Sequence, residues 1–245
     1  MSGHSKWNNI KRKKEKTDAA KAKIFTKIGR EISVIVKAGG PNPQENSKLK
    51  EIIAKAKAAN VPNENIERII KKAAGYTSAN NYEELIYEGY GPNGIAVVVE
   101  VLTDNRNRTA GEMRHYFDKC GGNLGTPGSV TFMFTRRGLI AIDAEGLSED
   151  EVMEAALEAG ADDFNAEEGV FEVITDANSV SDVSTALSEK GYKIMSAEPE
   201  YYPATFSSIT DDESMTKMQK LLDMLDDNDD VQNVWHNLDN LPEEE

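Results

Sequence analysis

Ten of the first thirty residues are basic, namely Lys6, Lys11, Arg12, Lys13, Lys14, Lys16, Lys21, Lys23, Lys27 and Arg30, and only Glu15 and Asp18 oppose them. Side chains of one sign at this density neutralise phosphates and release their counterions, which gives binding that falls steeply with salt and requires no contact with bases. A solvated charged tail is the bland use of such a run. Its continuation onto one face of a helix favours nucleic acid. Trp7, inside the run, can stack on an exposed base or anchor a core. Arg106 and Arg108, set among Asn105 and Asn107 at a helix start, suit a second phosphate or base contact, because helix N-termini attract anions. Capping that helix and pairing with Asp104 or nearby carboxylates is the alternative.

The other chemical residue types are arranged less suggestively. His4, His115 and His236 lie on three different segments without companions at ligand spacing, so neither a zinc site nor a nucleophilic triad is visible. Asp162 and Asp163, if on a strand, project to opposite faces, which is wrong for shared acid and base work. Asp226, Asn228 and Asp230 imitate the opening of a calcium loop, but Val231 replaces the required glycine and Asn237 the closing glutamate. Gly121, Gly122, Gly125 and Gly128 lack the Lys-Ser/Thr of a phosphate loop and are expected in turns. The expectation is a protein that is not an enzyme and carries no metal or cofactor. Cys120 is the single cysteine, which excludes an intrachain disulfide framework and fits a reducing compartment. Beside two glycines it is expected to be a small inert residue, with a reactive thiol as the alternative.

Ile24, Phe25, Ile28, Ile32, Ile35 and Val36 recur at three- and four-residue intervals and predict a helix from Asp18 to Gly39-Gly40-Pro41. Lys23, Lys27, Arg30 and Lys37 fall opposite that apolar stripe. A second helix is predicted over 47–59, with Leu49, Ile52, Ile53 and Ala56 inward and Lys48, Lys50, Lys55 and Lys57 largely outward. Val61-Pro62-Asn63 then starts a third helix, with Ile66, Ile69, Ile70 and Ala73 inward, and Gly75 ends it. From Tyr82 the pattern alternates to Tyr90, turns at Gly91-Pro92-Asn93-Gly94, and continues as a β-branched run from Ile95 to Leu102, which predicts a hairpin. A helix through Met113, Tyr116 and Phe117 and a third strand over Val130–Phe134 follow. Strand 139–142, helix 148–160, strands 161–165 and 170–175, helix 179–190 and strand 192–200 give βαββαβ, the split unit of ferredoxin-like domains. Ser148, three residues before Glu151, fits a capping box. Asp211 opens a last helix through Met215, Met218, Leu221, Leu222 and Leu225, and Val231–Leu238 reads as a strand. A lone helix and strand cannot bury their apolar faces, so this tail must pack on an earlier domain.

The charge is divided along the chain. Residues 1–75 hold eighteen Lys/Arg against seven Asp/Glu, a net of +11, whereas the rest hold ten against thirty-six, a net of -26. The whole-chain value of -15 therefore hides a cationic front. At physiological salt the screening length is about 8–10 Å, so the two ends can act semi-independently. The acidic remainder can serve solubility, orient the protein on its polyanion, or dock basic proteins. The longest strongly apolar run, Ile95–Val99, is far short of the roughly 20 residues of a membrane helix. No apolar segment follows the basic start as a secretory signal would require, and the expected location is the cytoplasm, with no membrane partner.

Several segments are long and specific: Met1-Ser2-Gly3-His4-Ser5-Lys6-Trp7, Lys23-Ile24-Phe25-Thr26-Lys27, Tyr87-Glu88-Gly89-Tyr90-Gly91-Pro92-Asn93-Gly94 and Gly121-Gly122-Asn123-Leu124-Gly125. Gly128-Ser129-Val130 and Asp227-Asn228-Asp229-Asp230-Val231-Gln232-Asn233-Val234 complete the set. With these motifs the chain resembles the YebC family of "probable transcriptional regulatory proteins", whose eukaryotic relatives include a mitochondrial translational activator. It departs from the family pattern at Asn42-Pro43, at Asn46-Ser47-Lys48 and over Glu198–Ser207. The resemblance implies an α+β protein of three domains. These are a basic tail and three-helix nucleic-acid-binding domain (1–75), a middle α/β domain (76–135 plus 206–245), and an inserted ferredoxin-like domain (136–205). It also implies DNA binding and transcriptional regulation, with a ribosome- or rRNA-associated translation factor as the alternative.

Overall fold

Residues 18–75, 82–167 and 169–241 are described by the computed structural model. Residues Lys6, Trp7, Lys11, Arg12, Lys13, Lys14 and Lys16 lie outside them, as does His4. The first three helices are α1 (Asp18–Gly39), α2 (Ser47–Ala58) and α3 (Asn63–Ala74). Their expected apolar stripes meet in one core, where Ile28, Ile32, Val36, Leu49, Ile52, Ala56, Val61 and Ile66 are buried. Asn46 ties the first turn together. Its Oδ1 accepts from the Leu49 amide at 3.1 Å, capping α2, and its Nδ2 donates to the carbonyls of Gly40 and Ile35 at 2.9 and 3.2 Å. Pro62 occupies the N-cap of α3 and makes no side-chain cap there, so Asn63 begins the helix rather than capping it.

The first sheet contains β1 (Glu83–Tyr90), β2 (Ala96–Thr103), β3 (Asn123–Leu124) and β8 (Val231–His236), in the order β3-β1-β2-β8. The predicted hairpin forms with Glu83 opposite Thr103 and Tyr90 opposite Ala96. Helix α4 (Arg106–Lys119) and α7 (Asp212–Asp226) cover one face, placing Met113, Phe117, Met218, Leu221, Leu222 and Leu225 against Val97, Val99 and Val101. Ala96 and Val98, facing the other way, meet Val130, Phe134 and Trp235. Burial on both faces explains the unbroken apolar run Ile95–Val99 that opens β2. The C-terminal helix and strand return to this sheet as expected, with β8 antiparallel to β2.

The second sheet is built by β4 (Phe134–Asp143), α5 (Glu149–Glu158), β5 (Asp163–Glu167), β6 (Val170–Asp176), α6 (Val180–Glu189) and β7 (Ile194–Pro203). Its antiparallel order, β5-β6-β4-β7, puts the first and third strands of the unit side by side, the pairing of a split βαβ unit. Val152, Ala155, Ala156, Val183 and Leu187 from the two helices pack on Ile140, Ile142, Phe171 and Val173.

Three expectations need correction. The separate strand at Val130–Phe134 does not form: Thr131–Met133 is a single 3-10 turn, and Phe134 begins the long β4 of the second sheet. The third partner in the first sheet is the two-residue β3, too short to leave a periodic signal. Ser148 stands at the N-cap of α5 without a side-chain cap bond, and the last strand of the unit runs on through Tyr201 and Tyr202 to Pro203.

Candidate nucleic-acid interface

Helix α1 carries its basic stripe into contact with the body of the protein. Lys23 Nζ lies 2.6 Å from Asp227 Oδ1, and Lys27 Nζ donates to the Asp226 carbonyl at 3.0 Å. Arg30 donates to the Asp229 carbonyl at 2.8 Å and to Asp230 Oδ1 at 2.5 Å, with its guanidinium carbon 5.5 Å from the centre of the Tyr82 ring. One turn of acidic chain between α7 and β8 therefore receives three basic residues spaced three and four apart on a helix. Lys21 lies on the same helix.

Asp230 is the hub. It is 3% exposed, and its second oxygen accepts from Arg108 at 2.7 Å, Thr109 at 2.7 Å and Thr103 at 3.0 Å. Burial alone would raise its pKa, but the bonds from Arg108, Thr109, Arg30 and Thr103 outweigh that and hold it at about 2 against an ordinary 3.8. Arg108 also reaches Asp104 at 3.0 Å, and Asn105 Oδ1 accepts from the Arg108 amide at 3.1 Å. The capping alternative thus describes how Arg108 is used in the folded chain, with its side chain still 43% exposed. Arg106 is exposed beside it.

A second ionic contact joins the bundle to the second sheet. Lys55 of α2 lies 3.2 Å from Glu198 of β7 and 3.6 Å from Glu31 of α1. Burial raises the pKa of Glu31, and although burial lowers that of Lys55, attraction to Glu198 and Glu31 raises it overall. Glu100 is also pushed up by burial and accepts from Asn233 at 2.6 Å.

The basic side chains that the described bundle leaves exposed are on α2 and α3, with Lys37 at the end of α1. They are Lys48, Lys50, Lys57, Arg68, Lys71 and Lys72. Arg68, Lys71 and Lys72 form an i, i+3, i+4 set opposite Ile66, Ile69 and Ile70, a signal present in the sequence but weaker in density than the N-terminal run.

The Gly121–Gly128 segment is structural, as expected of turns. A side chain at Gly122 would collide with the Tyr90 carbonyl, and Gly128 has φ +87°. The segment is organised by Glu88, a buried carboxylate inside the Tyr87–Gly94 motif with no role of its own legible in the sequence. The amides of Val130 and Thr131 each donate to its Oε2 at 2.7 Å, and that of Gly128 donates to Oε1. Burial raises its pKa, yet the three amides outweigh burial and bring it below the usual range. We expect Glu88→Gln to cost about 2–3 kcal/mol in urea denaturation at neutral pH, because an amide NH2 would face donors in place of an ionised acceptor. The difference from the unchanged protein should shrink as pH falls below the ordinary carboxylate range of about 4.5, where protonation removes the same charge.

Cys120 is buried in the first sheet's core, and burial raises its thiol pKa. His236 is buried with Nδ1 accepting from the Leu238 amide at 3.3 Å, and His115 is exposed on α4. Among the described residues, no group of three or more His, Cys, Asp or Glu is placed to hold a metal ion, and no helix is long and apolar enough to cross a membrane.

Comparison with known proteins follows the same partition. A profile described as the TACO1/YebC protein N-terminal domain matches residues 5–76, and one described as the TACO1/YebC second and third domain matches residues 82–238. A protein of Acetivibrio thermocellus named "Probable transcriptional regulatory protein" is 59% identical over 238 residues, covering 97% of this chain and 98% of that protein. One of the same name from Finegoldia magna is 54% identical over 240 residues, covering 98% and 100%. The crystal structure of a conserved hypothetical protein from Aquifex aeolicus superposes with a TM-score of 0.84 at 45% identity over 94% of each chain. With its motifs, both halves of its fold and nearly its whole length matched, the chain belongs to the TACO1/YebC family.

Proposed function

We propose that this protein is a non-enzymatic regulator of gene expression that binds nucleic acid through residues 1–75 and acts on DNA in transcription, in the cytoplasm. The observation that carries the proposal is the concentration of charge at +11 in those residues. The exposed Lys48, Lys50, Lys57, Arg68, Lys71 and Lys72 extend that charge beyond the N-terminal run, giving phosphate contacts enough for salt-sensitive binding. DNA and transcription follow the naming of the relatives. In this reading the bundle, the first sheet and the second sheet are three domains bounded at 1–75, 76–135 with 206–245, and 136–205. The two sheets position the bundle.

A translation factor on rRNA is the second reading, and the net -26 of the remaining chain favours it. Acidic lobes that repel DNA would suit basic ribosomal proteins while the front end holds RNA. Crosslinking in cells, followed by sequencing of the bound nucleic acid, separates the two. Enrichment of promoter DNA is expected; enrichment of rRNA with co-sedimentation on ribosomes would replace the first reading with the second.

A further inference from the structure

The way the bundle is attached differs from the way the sheets are attached to each other. The two sheets share an apolar seam in which Phe134 and Tyr201 of the second meet Val98 and Trp235 of the first, with the Tyr201 and Trp235 rings 4.9 Å apart. The bundle's apolar core is closed on itself and contains residues of α1, α2, α3 and the turns between them only. Polar and ionic contacts tie it to the body: Lys23 to Asp227, Lys27 to Asp226, Arg30 to Asp229 and Asp230, and Lys55 to Glu198, with the Arg30 guanidinium also over the Tyr82 ring. Such contacts are exchangeable. The exposed Lys23–Asp227 pair is weakened by salt, and the buried Arg30–Asp230 pair, the stronger contact, can be replaced only by another anion that satisfies the guanidinium, whereas an apolar seam offers an incoming polyanion nothing to exchange.

The acidic turn also resembles, chemically, what the stripe is suited to hold. Carboxylate and carbonyl oxygens at Asp226, Asp227, Asp229 and Asp230 occupy three cations on successive turns of one helix face, as a run of phosphate oxygens would. We propose that this turn is an internal competitor for the polyphosphate backbone of a nucleic acid. In the free protein it pairs with Lys23, Lys27 and Arg30. Bound nucleic acid, engaged first by the uncovered basic residues, displaces the turn, takes the stripe, and frees the bundle from the sheets. The proposal rests on the nucleic-acid reading given above and adds to it a closed and an open state. The two sheets, locked through Tyr201 and Trp235, move as one. The ligand's differential contact with the two states is the stripe itself, available only in the open one.

Spin labels on the full-length protein at Glu64→Cys in α3 and Asp212→Cys in α7, both exposed positions, report the separation of bundle and first sheet by pulsed electron resonance. Cys120 can remain, since it is buried. Binding is followed in parallel by fluorescence anisotropy of a short DNA duplex and a short single-stranded RNA. The expected result is a shift to longer and broader distances at saturating nucleic acid. Asp227→Lys, which repels Lys23 at an exposed site, should produce part of that shift with no nucleic acid present. Saturable binding with unchanged distances would overturn the internal competitor and leave the nucleic-acid reading intact. Absence of binding to either probe would overturn both.

Discussion

Asp230→Ala is expected to lower the stability of the folded protein by about 2–4 kcal/mol, measured as the shift of the urea midpoint at neutral pH, because it strands two guanidinium groups and two hydroxyls that now share one carboxylate. The partners come from places far apart in sequence. Arg30 is 200 residues away, Thr103 is 127 and Arg108 is 122, so the loss falls on the junction of α1, β2, α4 and the entry to β8 together. Asp230→Asn should recover part of the loss, since an amide oxygen still accepts from Thr103 or Thr109. The pH dependence has a definite sign. With the folded-state pKa held at about 2 against an ordinary 3.8, the stabilisation is complete above about pH 4 and disappears as pH falls towards 2. Integrated over that window it amounts to about 2 kcal/mol. The alanine variant should lack this part of the acid transition. An Asp230→Ala protein with an unchanged midpoint and an unchanged acid limb would show that the hub carries no load.

The second large effect concerns binding. Charge reversal of Lys11, Arg12, Lys13 and Lys14 to glutamate should flatten the dependence of log K on log salt by about 3–4, since each lost phosphate contact removes about 0.9 from the slope on duplex DNA. Over a fourfold change in salt, that slope difference corresponds to about a hundredfold in affinity. The weakening should be nearly uniform across sequences, because backbone contacts position a protein without reading bases. A single exposed substitution such as Lys48→Ala on α2 should remove about one unit of slope. Unchanged slopes in the charge-reversed protein would assign the N-terminal run to solvation alone.

Most of the architecture was written in local pattern. Ile28, Ile32 and Val36 announced the core face of α1, the turn at Gly91–Gly94 announced the hairpin, and the alternation of strands and helices after Leu139 announced the split βαβ unit. The return of β8 to β2 followed from necessity, because α7 and β8 alone had nothing to cover them. What could not be read was of two kinds. Short elements leave no period: β3 has two residues, and the turn at Thr131–Met133 looked like the strand it precedes. Long-range charge pairing leaves no local mark either. Lys23, Lys27 and Arg30 were legible as a basic stripe, but the identity of their partners depends on how the chain brings Asp226–Asp230 back across about two hundred residues of sequence. The same holds for Glu88, whose place in an ordinary alternating strand gave no sign that three amides some forty residues on would converge on it.

That Asp226–Asn228–Asp230 echoed the start of a calcium loop has a physical explanation in the structure. Asn228 Oδ1 accepts from the Asp230 amide at 2.8 Å, and its Nδ2 donates to Glu112 at 2.7 Å and to Tyr116 at 3.1 Å. The short polar side chains stabilise a tight connection between α7 and β8, and the turn presents its oxygens to Lys23, Lys27, Arg30 and Arg108. Their partners are cations from the protein's own front half. The acidic body and the basic front are thus physically coupled through Lys23, Lys27 and Arg30, while Lys48, Lys50, Lys57, Arg68, Lys71 and Lys72 remain exposed to a polyanion.

A cationic front segment that grips a polyphosphate, beside an anionic body that does not, leaves a distinct footprint when the intact protein is photocrosslinked to bound DNA and RNA and the modified residues are mapped by mass spectrometry. Adducts concentrated in residues 1–75, and competed away by salt, are the predicted result. Adducts confined to residues 82–241, with the front segment unmodified, would contradict it.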